Sequence, residues 1–182
     1  MHDKKVEEKI LFLFNNNKTK NDGFNLLVNH FKEPIYFQIR RIVVSHENTD
    51  DVVQEVFIKC WNKLKSFNGK SKLSTWIYRV AYNEAIQWIR KNKKEYHLDI
   101  NDIKSSDQPI NNIFNKDADE ISILLEKAIF QLPEKQRMVF QLKYFEELSY
   151  REIQKITGLS IGGLKANYHH AVTKIKALLS LD

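Results

Sequence analysis

Arg79, Asn83, Gln87, Arg90 and Lys94 fall within roughly 80° of one another when the sequence is wound at 100° per residue. Amide side chains pair bidentately with adenine, and guanidinium and ammonium groups neutralise phosphate, so this stripe has the chemistry of a nucleic-acid contact. Just before it come Ser66, Phe67, Lys70 and Lys72, then Trp76, Tyr78 and Tyr82. Aromatic rings beside cations suit single-stranded nucleic acid, because unpaired bases stack on them. The plainer alternative makes these rings core: fully for Trp88, largely for Trp76, and much less for Phe67 beside its turn.

A second surface lies near the C-terminus. Ile161, Leu164, Tyr168, Val172, Ile175 and Leu179 form an apolar stripe. Opposite them stand Gly162, Gly163, Ala166, His169, His170 and Thr173, flanked by Lys165 and Asn167. A solvated bundle face would look similar. Against that stand the glycines, each costing about 0.8–1 kcal/mol relative to alanine within a helix. Small residues there would let a helix N-terminus approach a phosphate or base edge. A third surface, Asp51, Gln54, Glu55, Lys59 and Asn62, reads alone as ordinary solvent-facing polarity. Its acidic end is unsuited to DNA and is left available for a protein.

Constellations for catalysis are missing from the sequence. It has no Gly-rich phosphate loop and no Cys/His cluster at metal spacing. His169 and His170 are adjacent, so on a helix their rings diverge by about 100° and do not chelate one ion. Cys60 reads as a buried thiol. The expectation is a protein that is not an enzyme, with no metal, cofactor or small-molecule substrate.

The elements that must hold these surfaces are helices. Five glycines and three prolines in 182 residues disfavour a β-fold built on many tight turns. Apolar residues at helical spacing run from 23 to 42, where Pro34 should kink or break the segment. The run from 51 to 64 carries Val53, Phe57, Cys60 and Leu64 in one stripe, broadened by Val52, Val56 and Trp61. A turn at 67–71 precedes a helix over about 74–93. Periodicity then disappears over 95–119. Helical patterns return at 121–131 and 134–147, the latter with Pro133 in its first turn. Ser149 and Glu152 spell a capping box for a short helix, Gly158 supplies a turn, and Ser160 caps a long final helix. Short helix, glycine turn and long helix make a helix-turn-helix pattern.

Charge follows the same division. The formal net charge is +6. Residues 23–94 hold 13 basic and 6 acidic residues, whereas 95–119 hold 2 and 6. A basic block, an acidic spacer and a mildly basic block suggest two modules on a tether, the first suited to a polyanion. At 42% hydrophobic and 29% charged the chain is globular. The single cysteine fits a reducing compartment. No apolar run approaches a membrane span, and residues 6–14 are too short and charged for a secretory signal. A cytoplasmic, soluble protein without membrane insertion is expected.

Two stretches, DDVVQEVFIKCWNKLKSFNGKSKLSTWIYRVAYNEAIQWIRK and LPEKQRMVFQLKYFEELSYREIQKITGLSIGGLKANYHHAVTKI, resemble regions 2 and 4 of bacterial extracytoplasmic-function sigma factors of the sigma-70 family. They occur in family order with a linker between. The resemblance implies an all-α protein of two small helical domains joined by an extended linker: region 2 over 1–94, the linker over 95–119 and region 4 over 120–182. It implies a promoter-specificity factor that binds core RNA polymerase through the β′ coiled coil and the β subunit, contacts promoter DNA and answers to an anti-sigma factor. Asp51, Gln54 and Glu55 match the polymerase-docking helix. Ser66 and Phe67 match the loop that captures a flipped −10 base, and Asn83 and Gln87 match readers of that element's upstream part. Lys70, Lys72, Arg79, Arg90 and Lys94 complete the −10 surface. Tyr150 and Arg151, with Ser160, Gly163, Lys165, Ala166, Asn167, His169 and His170, form the −35 surface. Family members often carry Thr, Ser and Arg where this chain has Gly163, Ala166 and Asn167, and often a basic residue at His170. That leaves room for recognition through backbone approach and DNA shape.

Three other readings of the residues stay open: a free-standing regulator using the helix-turn-helix, a helical scaffold without a nucleic-acid role, and a nucleic-acid-processing enzyme. The first predicts duplex binding without polymerase, the second indifference to charge reversal at Arg79, Arg90 and Lys94, and the third a metal dependence.

Overall fold

The computed structural model describes residues 2–94, Tyr96 and residues 120–179, and every regular element among them is helical. In chain order these are α1 (His2–Asn15), α2 (Lys20–Val43), α3 (His46–Lys63), a 3-10 turn (Leu64–Ser66), α4 (Leu73–Lys91), α5 (Glu120–Phe130), α6 (Glu134–Tyr144), α7 (Tyr150–Thr157) and α8 (Ile161–Leu178). The expected linker, apart from Tyr96, lies outside the described residues.

Helices α1–α4 bury one continuous core that includes Ile10, Phe14, Leu27, Ile35, Val56 and Ile77. α1 has no counterpart in the sequence reading. It turns back on α2, and the two backbones touch at Gly23, where a Cβ would sit 2.5 Å from the Phe14 amide nitrogen. Only glycine allows that approach.

Pro34 does not break its helix. α2 runs through it to Val43 because Phe31 and Ile35, on either side, are locked in the core. Their burial offsets the missing backbone donor. α2 then stops at Val44, whose φ of 78° is rare for a β-branched residue. Its N–H reaches the Arg40 carbonyl, and its side chain is sunk in the core.

α3 begins earlier than its acidic run suggests, at His46, with the Ser45 hydroxyl accepting from the Asn48 amide. Its buried stripe is Val52, Val56 and Cys60, with Leu64 just beyond, while Val53 and Phe57 are only half-buried. The stripe therefore sits about one residue away from the expected one. Burial pushes the Cys60 thiol up to about 12, so it stays a neutral core group.

In the second unit the local signals hold. The Ser149 hydroxyl accepts from the Glu152 amide, the Glu152 carboxylate accepts from the Ser149 amide, Gly158 is left-handed at φ 75°, and the Ser160 hydroxyl accepts from Gly163. Pro133 occupies the N-cap of α6 rather than its first turn. In α8, Leu164, Ala171 and Ile175 are buried, with Tyr168 and Val172 packed beside them.

The two units are in contact. α7 packs on α4 and α6 touches α2. The Gln141 amide donates to the Arg41 carbonyl, Arg137 donates to the Tyr96 hydroxyl at 2.5 Å, and Tyr82 meets the Met138 sulfur. The sequence patterns carried no sign of this docking.

Candidate nucleic-acid interface

Arg79, Asn83, Gln87 and Arg90 all project to solvent from α4, because the opposite side of that helix is anchored by Ile77, Ala81, Ala85 and Ile89. Lys94 is also exposed but lies past the end of α4, which closes at Asn92. The structure therefore assembles the expected ridge, with its last cation outside the helix proper.

The loop leading into α4 is held at its entry. The Ser66 hydroxyl donates to the Lys63 carbonyl, and the Phe67 amide donates to the Leu64 carbonyl. Asn68 accepts from the Lys70 amide across Gly69, whose φ is 69°. Phe67 is more engaged than its turn suggested: it is half-buried, edge-on to Trp76 at 5.9 Å between centroids. Trp76 is itself only half-buried, so the two rings form a partly open aromatic step.

A groove of about 470 Å³ opens beside that step, lined by Ser66, Phe67, Asn68, Lys70, Arg79 and Lys155 among others. Cations on the rim and rings on one wall suit an unstacked nucleotide. Lys155 comes from α7, a contribution that sequence spacing could not reveal because it depends on how the units dock. Across the same seam the Glu152 carboxylate accepts from the Thr75 hydroxyl at 3.2 Å and stands 3.8 Å from Lys72. Burial raises the Glu152 pKa, but hydrogen bonds from Ser149 and Thr75 and the charge of Lys72 outweigh it and hold the carboxyl below its ordinary value.

Asp51, Gln54 and Glu55 lie exposed on the outer side of α3. Beside them is Ile58, 53% exposed, an apolar residue that a reading by polarity alone does not single out. These carboxylates share a groove of about 440 Å³ with Lys59, Glu84, Gln87, Trp88 and Lys91 of α3 and α4. Lys59 and Glu84 form an ion pair across it. Gln87 thus stands on the border between the acidic face and the cationic ridge. Trp88, expected as core, is a half-buried wall of that groove.

On α7 and α8, Arg151, Lys165, Ala166, His169 and His170 are exposed, and Ser160 is exposed as the cap of α8. Gly163 is half-buried beneath the cap. Asn167 is half-buried, and its amide donates to the Gly163 carbonyl at 2.8 Å. Tyr150 is half-buried, with the Lys143 ammonium 5.7 Å from its ring centroid. The His169 and His170 rings are 5.9 Å apart and tilted by 60°. Among the described residues no group of three or more His, Cys, Asp or Glu could hold a metal. None of the described helices is long and apolar enough to cross a membrane.

Comparison with known proteins places these surfaces within two matched segments. Sigma-70 region 2 matches residues 27–95, and Sigma-70, region 4 matches residues 122–175. The ECF RNA polymerase sigma factor SigW of Bacillus subtilis (strain 168) is 34% identical over 161 residues, covering 84% of this chain and 86% of that protein. The ECF RNA polymerase sigma-E factor of Escherichia coli (strain K12) is 31% identical over 158 residues, 82% of each. Among solved structures, the sigma factor RpoE in complex with the anti-sigma factor NepR from Bartonella quintana superposes with a TM-score of 0.70. Its identity is 22%, and the match covers 87% of this chain and 98% of that one. CnrH in complex with the cytosolic domain of CnrY gives a TM-score of 0.65 at 19% identity, covering 99% and 98%. At such identities the structures speak for the fold.

Proposed function

The chain belongs to the extracytoplasmic-function sigma factors of the sigma-70 family, and from that premise we propose that its α3 face docks on core RNA polymerase while the α4 ridge and its loop read and open the −10 element. As a sigma factor it is a transcription initiation factor: it binds core polymerase and directs it to promoters. In this reading residues 1–94 form region 2, 95–119 the linker and 120–182 region 4. Asp51, Gln54 and Glu55 meet the β′ coiled coil. Ser66 and Phe67 receive a flipped base, Asn83 and Gln87 read base edges, and Arg79, Arg90, Lys70, Lys72 and Lys94 hold phosphates. Tyr150, Arg151 and the α8 residues address the −35 element. The factor does no bond chemistry itself, works in the cytoplasm, and is held in check by an anti-sigma protein, as the complex of its structural neighbour RpoE with the anti-sigma factor NepR suggests.

The observation that carries this reading is the exposed Arg79–Asn83–Gln87 ridge running out of a groove with aromatic and cationic walls. Capturing an unpaired base there offsets the few kcal/mol needed to unstack it, which couples recognition to melting.

In this reading region 4 leaves α4 when the factor engages separate −10 and −35 elements, because Lys155 and Glu152 of α7 otherwise stand at the loop and first turn of α4 that the −10 DNA has to reach.

The test is run-off transcription with core polymerase and genomic promoter fragments mapped at nucleotide resolution. Selective initiation that vanishes in Arg79→Ala/Asn83→Ala, with polymerase binding intact, supports the reading. Tight duplex binding without polymerase, and no selective initiation with it, would instead favour a free-standing regulator.

A further inference from the structure

The first turn of α4 is capped from outside its own segment. Its N-cap position holds Lys72, which has no acceptor side chain, and no local side chain bonds to that end of the helix. The leading backbone donors of a helix need partners. Here the partner is Glu7 of α1, 66 residues away from Leu73 in the chain: Oε2 accepts from the Leu73 amide at 2.9 Å and Oε1 from the Ser74 amide at 3.1 Å. Glu7 is only 9% exposed. A carboxylate bound to two amides at the positive end of a helix makes charge-assisted bonds that fix direction as well as distance.

We propose that Glu7 is a positioning residue for base capture: by clamping the start of α4 it sets where the loop over 67–72 ends and where Trp76, the platform for Phe67, stands. The loop is secured at its entry by Ser66 on Lys63 and Phe67 on Leu64, and at its tip by the Lys70 amide on Asn68, whereas the carboxylate that caps its exit is that of Glu7. Glu7 has a rigid mount of its own. Ile10 and Phe14 are buried in the core, the Thr19 hydroxyl donates to the Leu13 carbonyl, and the close approach at Gly23 presses α1 onto α2. This rests on the reading of the Phe67 loop given above.

The experiment uses the full chain with core polymerase and paired promoter templates differing only at the captured base. Glu7→Gln keeps the shape but replaces one acceptor with an NH₂ group, so the preference between templates should fall about fivefold, a modest share of the loss of a hydrogen bond to a charged group. Polymerase binding should be unchanged, and amide exchange should speed up at Leu73 and Ser74 but not at Ala81. Glu7→Asp, with a shortened carboxylate, should give an intermediate preference. An unchanged preference in Glu7→Gln overturns the proposal, as does an equal loss on all templates, which would mean only less folded protein. Phe67→Ala is the control. If it leaves the preference intact, the loop reading itself fails; if it abolishes the preference while Glu7→Gln does not, only the role of Glu7 falls.

Discussion

Arg41 Nη1 donates to Glu146 Oε1 at 3.0 Å across the seam between the two units, with 19% and 8% of the two side chains exposed. The same guanidinium lies 3.9 Å from the Phe145 ring centroid. Removing one partner of a half-buried pair leaves the other charge partly desolvated and uncompensated. Glu146→Ala should therefore release region 4 from α2 and α4, and the radius of gyration measured by small-angle scattering should rise. The double variant Arg41→Met/Glu146→Leu should stay compact, since apolar replacement of a buried pair is often neutral or stabilising. A Glu146→Ala protein as compact as the parent would show that the pair does not hold the seam.

Acidity should act on the same contact. Burial pushes the Glu126 carboxyl up to about 7 despite the pull of Arg41 and Arg40. A carboxyl with a higher pKa when docked takes up a proton on docking. Docking is therefore favoured at low pH and weakens as pH rises from the ordinary carboxylate range through about 7. Scattering or cross-linking between the units across that window should show a growing separated population. Glu126→Gln should flatten the profile, and an unchanged profile in that variant would rule Glu126 out as its source.

On α3, Asp51, Gln54, Glu55 and Ile58 are all exposed on the outer side of the helix. Their truncation should leave the fold intact while removing contacts to a partner. Asp51→Ala/Gln54→Ala should abolish co-purification with core polymerase. Ile58→Ala should weaken it as well, because an apolar side chain inside a polar ring is the usual anchor of an interface. Equal polymerase binding by all these variants, at an unchanged melting temperature, would refute the docking assignment.

Legibility tracked the range of each interaction. The capping box at Ser149, the turn at Gly158 and the cap at Ser160 are local and could be read from a few residues. The α4 ridge was legible because helical periodicity alone decides which residues share a face. Pro34 misled because the burial of Phe31 and Ile35 outweighs a backbone preference. Glu7, Lys155 and Glu152 were invisible as contacts because each meets α4 or its loop from a distant segment. The tie from the Asn167 amide to the Gly163 carbonyl, one turn earlier on the same helix, is a local contact that side-chain polarity alone does not announce.

Asn83 and Gln87 should differ. Asn83 stands clear on the α4 ridge, whereas Gln87 borders the groove shared with Asp51 and Glu55. If Asn83 holds an adenine bidentately, Asn83→Ala should change discrimination at one −10 position by ~1–3 kcal/mol. Gln87→Ala should cost less there and should also weaken polymerase binding. Equal loss on every promoter variant would reduce Asn83 to a backbone contact.

The start of α8 offers a test in which stability and function should move in opposite directions. A Cβ at Gly162 would meet nothing within 4 Å, whereas one at Gly163 would sit 3.2 Å from the Ser160 hydroxyl that caps the helix. Gly162→Ala is therefore free of clash and should stabilise region 4 by about 0.8–1 kcal/mol through helix propensity alone. If the glycine is there to let DNA approach the helix N-terminus, the added methyl should weaken initiation from −35-dependent promoters even as the melting temperature rises. Arg151 and Lys165 are untouched, so the salt dependence of promoter binding should keep its slope while its level falls. A more stable variant that initiates like the parent would mean that Gly162 faces only solvent.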